Sequence, residues 1–312
     1  MRHALRGGRE TGYSFALTTT AATRCLALGG PMKVILATCT AFPEGEPGHE
    51  LLDAALAERG VDATWAVWDD PDVDWGAADL VAVRATWDYV ERPEAFLAWA
   101  RRVEGVIRLL NGSDVMAWNM DKAYLVALGE GGQVPVVPSR LLEGPDDLAR
   151  ARGEWGDVVV KPRVGAGGVG VVVVGAEEPL SAVDLPAGDL LVQPLVHSVR
   201  DAGELSVFVL GGRPAAQVRK VPGPGEVRVH EHLGGTYARA SLDAAVVGRA
   251  VAGFEAAGEL VGRALDYGRV DLLLHEGEWK VSELELIEPA LYLELCPENV
   301  EPYVEAVLRR LA

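Results

Sequence analysis

Short apolar runs bounded by glycine and polar residues set the rhythm of the chain. Met32-Lys33-Val34-Ile35-Leu36-Ala37 opens a buried strand over 33–38, followed by an amphipathic pattern over 47–59 that stops at Gly60. A strand over 62–68, the buried run Leu80–Val83 and a helix over Pro93–Val103 with Glu94 in its first turn come next. Strands alternating with helices predict a parallel α/β layer over residues 32–113. From 114 the pattern changes. A helix is expected around 117–128, carrying Lys122, and then a valine-rich stretch runs from Val158 to Val174, broken by glycines. Leu190–Val196 reads as another buried strand, and Glu204–Leu210 with Arg213–Lys220 as a hairpin about Gly211-Gly212. A helix over about 243–265 precedes a second hairpin, Arg269–Leu274 and Lys280–Leu286, joined through Gly277. The expected fold class is therefore α/β and α+β: an N-terminal parallel α/β domain followed by two mixed lobes.

Composition narrows the class. A 49% hydrophobic fraction over 312 residues fits a globular protein with a sizeable core. No run approaches the ~18 apolar residues of a membrane span. A soluble, cytoplasmic protein without a membrane partner is expected. The net charge of −17 argues against a nucleic-acid partner, which needs a basic surface. Cys25, Cys39 and Cys296 are widely spaced, with no CxxC, which fits a reducing compartment and excludes a zinc site. Residues 1–31, with Arg2, Arg6, Arg9 and Arg24 and a threonine run at 18–20, differ from the rest. They are expected to be a disordered extension, with Met32 the functional start. A homodimer and a monomer are both left open.

Candidate chemistry gathers at three places. In the second hairpin, Glu283 and Glu285 lie two apart and share a face. In-register pairing would set Asp271 beside them, and converging carboxylates with hard oxygens select Mg²⁺ or Mn²⁺. An acidic solvated face is the alternative reading. In the valine-rich stretch, Gly165, Gly167 and Gly170 match G-x-G-x-x-G, but four valines follow instead of the helix that motif requires. Strand, glycine loop and strand make a flexible hairpin whose N–H groups can cover phosphates. Lysine is the third signal: only Lys33, Lys122, Lys161, Lys220 and Lys280 stand among 29 basic residues. A chain that otherwise uses arginine keeps lysine where a compact ammonium is needed. Ligands of open α/β sheets bind beyond the strand carboxyl ends, so Thr38 and the Arg84–Tyr89 loop are candidate substrate contacts. There Trp87 and Tyr89 read as packing and Arg84 as the better functional residue.

Taken in order, these elements resemble the ATP-grasp superfamily of carboxylate ligases over residues 32–312. The resemblance rests on Lys122, on Lys161 before the glycine lid and on Gln193-Pro194-Leu195-Val196. It is completed by the basic cluster Arg219, Lys220 and Arg228 and by Asp271 with Glu283-Leu284-Glu285. The stretch from Arg219 to Gly235 is similar to bacterial glutathione synthetases. Glu285 stands where that family has Asn. The resemblance implies an ATP-grasp fold whose two lobes clasp ATP, with a substrate domain at 32–114, a lid lobe at 115–193 and a C-terminal lobe at 194–312. It implies that Lys122, Lys161, Gly165, Gly167 and Gly168 hold phosphates, that Gln193, Leu195 and Val196 read adenine, and that Glu204 holds ribose; a turn residue is the other reading of Glu204. It further implies that Asp271, Glu283 and Glu285 hold Mg²⁺ (or Mn²⁺), and that Arg228, Arg269 and Lys220 stabilise charge in the reaction. Thr38, Arg84, Thr86, Asp88 and Arg219 would contact a small substrate derived from an amino acid. The 84–89 loop and the 283–293 stretch are closer to the cyclo-ligases that convert O-ureido-D-serine to D-cycloserine. That likeness implies phosphorylation of a carboxylate and ring closure by an internal nitrogen. An intermolecular carboxylate–amine ligase and a non-catalytic ATP-binding module stay open as alternatives.

Overall fold

The computed structural model describes residues 30–312. The expectation of a disordered extension over 1–31 falls almost wholly outside these residues. Three sheets organise the chain. The first is four-stranded and parallel in the order β2-β1-β3-β4, formed by β1 (Met32–Thr38), β2 (Val61–Val67), β3 (Leu80–Ala85) and β4 (Arg108–Leu109). Helices His49–Glu58 and Pro93–Glu104 complete the expected α/β layer. β3 is buried along its whole length, as a parallel strand covered on both faces must be. One face packs Val34, Leu36 and Leu80 against helix Val300–Leu311; the other packs Val81 and Val83 against Phe96, Trp99 and Met116.

The second sheet falls in the stretch for which a lid lobe is expected and is formed by β5 (Arg140–Leu142), β6 (Val158–Pro162), β7 (Val172–Val174) and β8 (Leu190–Pro194), in the order β5-β8-β6-β7. β6 and β7 pair antiparallel across the glycines, with Val158 opposite Val174, so a hairpin and not a helix follows the glycine run. The third sheet has five antiparallel strands in the order β11-β10-β9-β12-β13. They are β9 (Glu204–Leu210), β10 (Arg213–Val221), β11 (Thr236–Ala240), β12 (Tyr267–His275) and β13 (Glu278–Glu285). Alternation divides its two faces. Leu205, Val207, Val270, Leu272, Val281 and Leu284 pack on helix Ala244–Val261, whereas Glu204, Ser206, Asp271, Glu283 and Glu285 take the other side.

One expected element is corrected. The helix around 117–128 is two helices, Ser113–Met120 and Tyr124–Glu130, and Lys122 sits in the break. Asp121 is extended (φ −95°, ψ 111°), and its carboxylate accepts from the Ala123 N–H at 2.9 Å. The Lys122 N–H is then free to donate to the carbonyl of Arg163 at 2.9 Å, at the root of the glycine loop.

A buried ion pair joins the first sheet to the third. Arg84, fully buried at the end of β3, donates through Nε to Glu46 at 3.0 Å and through Nη2 to the Pro289 carbonyl at 2.9 Å. Its guanidinium lies 4.8 Å from the Tyr303 ring centre. Glu46 in turn accepts from the Leu291 N–H at 2.8 Å. Arg84→Met leaves Glu46 as an unpaired buried charge and should cost about 3–5 kcal/mol in chemical denaturation. The double variant with Glu46→Gln should recover part of that loss; an Arg84→Met protein as stable as the parent would contradict the clamp.

Candidate active site

β13 is an edge strand, and its free side is capped by side chains. The Asn119 amide donates to the Leu284 carbonyl at 2.9 Å and accepts from the Leu286 N–H at 2.8 Å. The Tyr124 hydroxyl accepts from the Leu284 N–H at 2.8 Å. Farther along, Val281 exchanges backbone bonds with Pro135 and Val137. These contacts satisfy an edge that would otherwise be open and fix the position of Glu283 and Glu285. At the turn, Glu276 and Gly277 both have positive φ (54° and 77°), the requirement of a tight hairpin connection. Pairing from the turn runs regularly as far as Leu272 opposite Val281; a bulge at Ser282 then sets Asp271 opposite Glu283 and Arg269 opposite Glu285.

Charges on this face are interleaved. Asp271 is buried and accepts from Arg269 at 2.9 and 2.8 Å, from Ser206 at 2.6 Å and from Lys220 at 3.3 Å. Burial alone would raise its pKa, but Arg269 and Lys220 outweigh it and hold Asp271 below the ordinary carboxylate range. Glu283 pairs with Lys122 at 3.2 Å; burial is again offset, here by Lys122 and Lys161, and its pKa is lowered. Glu285 accepts from Arg269, yet burial and neighbouring Asp271 leave its pKa raised. Glu204, 3.2 Å from Lys220, is pushed up to about 7, chiefly by burial. Lys161 is lowered by burial and by the nearby Lys122 ammonium.

A cavity of about 1110 Å³ separates the lid sheet from this face, at the upper end of the range of small-molecule sites. Val137, Val159, Gln193, Leu195, Val196 and Leu273 line an apolar end. Lys122, Lys161 and the loop Gly165–Gly168 line the middle, and Lys220, Arg228, Arg269 and the carboxylates lie opposite. The glycine loop rests on the third sheet's connecting loop. Arg228 Nη1 donates to the Gly168 carbonyl at 3.2 Å, and Lys122 donates to the Gly165 carbonyl. Gly168 has φ +71°, and a Cβ there would lie 3.0 Å from the His230 ring and 3.1 Å from Arg228.

Several expected residues fall elsewhere. Thr38, Arg84, Thr86, Asp88 and Arg219 do not line the cavity. The Thr38 hydroxyl donates to the Phe42 carbonyl; Arg84 and Thr86 are fully buried; Asp88 accepts from Trp68 at 2.8 Å; Arg219 donates to the carbonyls of Asp201 and Ala202. The strand end that carries Arg84 turns it inward; of the aromatic residues expected to pack, Tyr89 does so, buried against Phe96 with only an edge on the cavity, whereas Trp87 faces the cavity with Phe42. Asp271 is likewise turned to protein cations. Among the described residues no three His, Cys, Asp or Glu side chains are gathered to hold a metal ion together. Glu283 and Glu285, each 32% exposed, are the carboxylates open to the cavity. Residues missed in the sequence include His230, Tyr292 and Glu288. A carboxylate inside the apolar run Leu286-Ile287-Glu288-Pro289-Ala290-Leu291 is a signal that could have found the last.

Two lobes closing on a cavity, with a glycine hairpin and paired lysines on one and a charged sheet face on the other, define an ATP-grasp ligase. Comparison with known proteins agrees with this class. Residues 34–111 match the family model described as the N-terminal domain of D-cycloserine synthetase DcsG. The cycloserine biosynthesis protein DcsG of Streptomyces lavendulae is 31% identical over 273 residues, 81% of this chain and 90% of that protein. The crystal structure of D-cycloserine synthetase DcsG superposes with a TM-score of 0.77 at 27% identity, covering 90% of this chain and 100% of the other. A structure of the ATP-grasp ligase PsnB, complexed with a phosphomimetic variant of its minimal precursor, Mg and ADP, has a TM-score of 0.60 at 18% identity. It covers 91% of this chain and 100% of that one, and shares the fold. The chain belongs to the DcsG family. No helix among the described residues is long and apolar enough to cross a membrane.

Gly168→Ala adds about 1–2 kcal/mol of left-handed backbone strain and wedges the loop from His230 and Arg228. The expected outcome is a KM for ATP raised about fivefold or more with a melting temperature lowered by only a few degrees. An unchanged KM would show that this contact does not govern closure.

Proposed function

We propose that the chain is an ATP-dependent cyclo-ligase that converts O-ureido-D-serine to D-cycloserine. The observation that carries this reading is membership of the DcsG family along nearly its whole length, together with a cavity that juxtaposes two lysines and a glycine hairpin with the charged face. In this reading Lys122, Lys161, Gly165, Gly167 and Gly168 hold the phosphates of ATP. Gln193, Leu195 and Val196 take the adenine at the apolar end, and Glu204 the ribose.

The donor set fits a hard divalent cation. Glu283 and Glu285 offer oxygens on one face, and the raised pKa of Glu285 marks a carboxylate short of neutralising charge. Those two, with Asp271 behind them, would hold Mg²⁺ (or Mn²⁺). When bound, the metal supplies charge neutralisation to the transferring phosphoryl group.

The chain's own residues account for the rest. Arg269 and Lys220, both kept cationic beside Asp271, lie where charge develops on the carbonyl oxygen and phosphoryl group. A substrate carboxylate oxygen attacks the γ-phosphorus and ADP leaves, giving an acyl phosphate. The nitrogen bonded to the side-chain oxygen then attacks the acyl carbon and phosphate leaves as the ring closes. Water takes the carbamoyl group, released as CO₂ and NH₃. The acyl phosphate must be shielded from bulk water, the task assigned to the Gly165–Gly170 loop resting on Arg228.

The test is release of ADP and phosphate from Mg-ATP and O-ureido-D-serine, with mass spectrometry of the product. Equal ADP, phosphate and ring-closed product are expected. ADP release only with a second amine substrate would replace the cyclo-ligase with an intermolecular ligase. Glu283→Gln should lower kcat/KM by about 100-fold or more while leaving the fold intact, because it removes an oxygen charge and no core volume. An unchanged rate would overturn the metal assignment.

A further inference from the structure

Of the cavity carboxyls that the reaction above does not use, one is buried and, among the described residues, without an ion-pair partner. Glu288 lines the cavity and is 9% exposed. It follows β13 by three residues, and its backbone is held in place: the Trp87 indole donates to the Glu288 carbonyl at 3.0 Å, while Arg84 holds the carbonyl of Pro289. Its carboxyl therefore belongs to a rigid seam between the first and third sheets.

What sets Glu288 apart is its lack of a partner. Asp271, Glu283, Glu285 and Glu204 each have an Arg or Lys within ion-pair distance. Among the described residues none pairs with Glu288; the only hydrogen bond to its carboxyl is from its own N–H. Lys122 and Arg269 lie near enough to be felt, but the bonds they make go to Glu283, Gly165, Asp271 and Glu285 and not to Glu288. Other cavity carboxylates outside the charged face differ: Glu46 is bound to Arg84, and Glu91, Glu231 and Glu294 are exposed at the rim. Burial, and then the Glu285 charge, push Glu288 up to about 8. A buried carboxylate without a countercharge is costly, and this one is open to the cavity, where a ligand can supply the cation. Trp87, bonded to the Glu288 carbonyl, and Phe42, packed on Trp87, line the cavity beside it, and aromatic faces also favour an organic ammonium.

We propose that Glu288 is the seat of the substrate's α-ammonium group. The inference rests on the ligase reading and deepens it. An α-amino acid places its ammonium one carbon from the carboxylate, so an ammonium at Glu288 directs the carboxylate toward Arg269 and Lys220. Glu288 is then a specificity-determining residue, which selects α-amino acids over other carboxylic acids and fixes one of the contacts by which their hand is read.

The test compares the parent enzyme, Glu288→Gln and Glu288→Asp on O-ureido-D-serine and on 3-(ureidooxy)propionate, which lacks the amine. Initial rates of ADP release give KM and kcat for each. Glu288→Gln should raise KM for the amino acid at least about tenfold while KM for ATP stays within about twofold. It should leave the amine-free analogue unaffected, so the parent's preference for the amino acid collapses, and Glu288→Asp should restore part of it. An unchanged KM for the amino acid, or equal losses on both compounds, would overturn the ammonium seat and leave the cyclo-ligase standing. A parent enzyme inactive on O-ureido-D-serine but active on another amino acid would overturn the cyclo-ligase. The same comparison on that amino acid would then support or overturn the seat. Activity confined to carboxylic acids without an amine would overturn both.

Discussion

The interaction on which the site depends is the buried contact of Asp271 with Arg269 and Lys220. A sheet face carrying Glu204, Asp271, Glu283 and Glu285 could not be built in a closed cavity from carboxylates alone, because desolvation and mutual repulsion would protonate or splay them. Arg269 spans Asp271 and Glu285, Lys220 spans Asp271 and Glu204, and Lys122 reaches across from the lid lobe to Glu283. The protein cations hold the face together, yet the Glu283 and Glu285 oxygens keep access to the cavity. The result is an electrostatic surface set before any ligand arrives, which is the form in which fixed charges contribute most to reactions that move charge.

Position on that face comes from backbone satisfaction at the edge of the sheet. Asn119 and Tyr124 complete the hydrogen bonds of Leu284 and Leu286, and the 135–137 segment completes those of Val281. The helices that carry Asn119 and Tyr124 are interrupted between them, and the interruption holds Lys122. One local event, an extended Asp121 capping Ala123 and binding Arg163, thus links the metal-type hairpin, a phosphate-type lysine and the root of the glycine loop. Through Arg84 and Glu46 the first domain is tied to the segment just beyond β13, so the first domain and the helices on either side of Lys122 both meet the third sheet at residues 284–291.

Much of this was legible in the chain, for physical reasons. Period-two alternation separates the apolar and charged faces of β9 and β12 and of β13 on either side of its bulge at Ser282, and a short turn with Gly277 fixes the hairpin register as far as that bulge. Valines after the glycines exclude a dinucleotide helix, and the structure has a strand there. What stayed hidden depends on tertiary contacts. The helical pattern around Lys122 runs through Asp121, and only the distant Arg163 explains the break. Arg84 looked like a ligand contact because it ends a parallel strand, yet Glu46, 38 residues away, claims it. Conversely, Trp87 looked like packing and faces the cavity, while Glu288 hid inside an apolar run. Periodicity reports which face a residue takes; it does not report which partner waits there.

The central claim is that this site activates a carboxylate by transferring a phosphoryl group to it. The direct measurement uses O-ureido-D-serine labelled with ¹⁸O in its carboxylate oxygens. If an acyl phosphate forms and is displaced by nitrogen, each phosphate released carries one labelled oxygen, in step with ring-closed product. Phosphate without label, formed at the rate of product, would contradict the account.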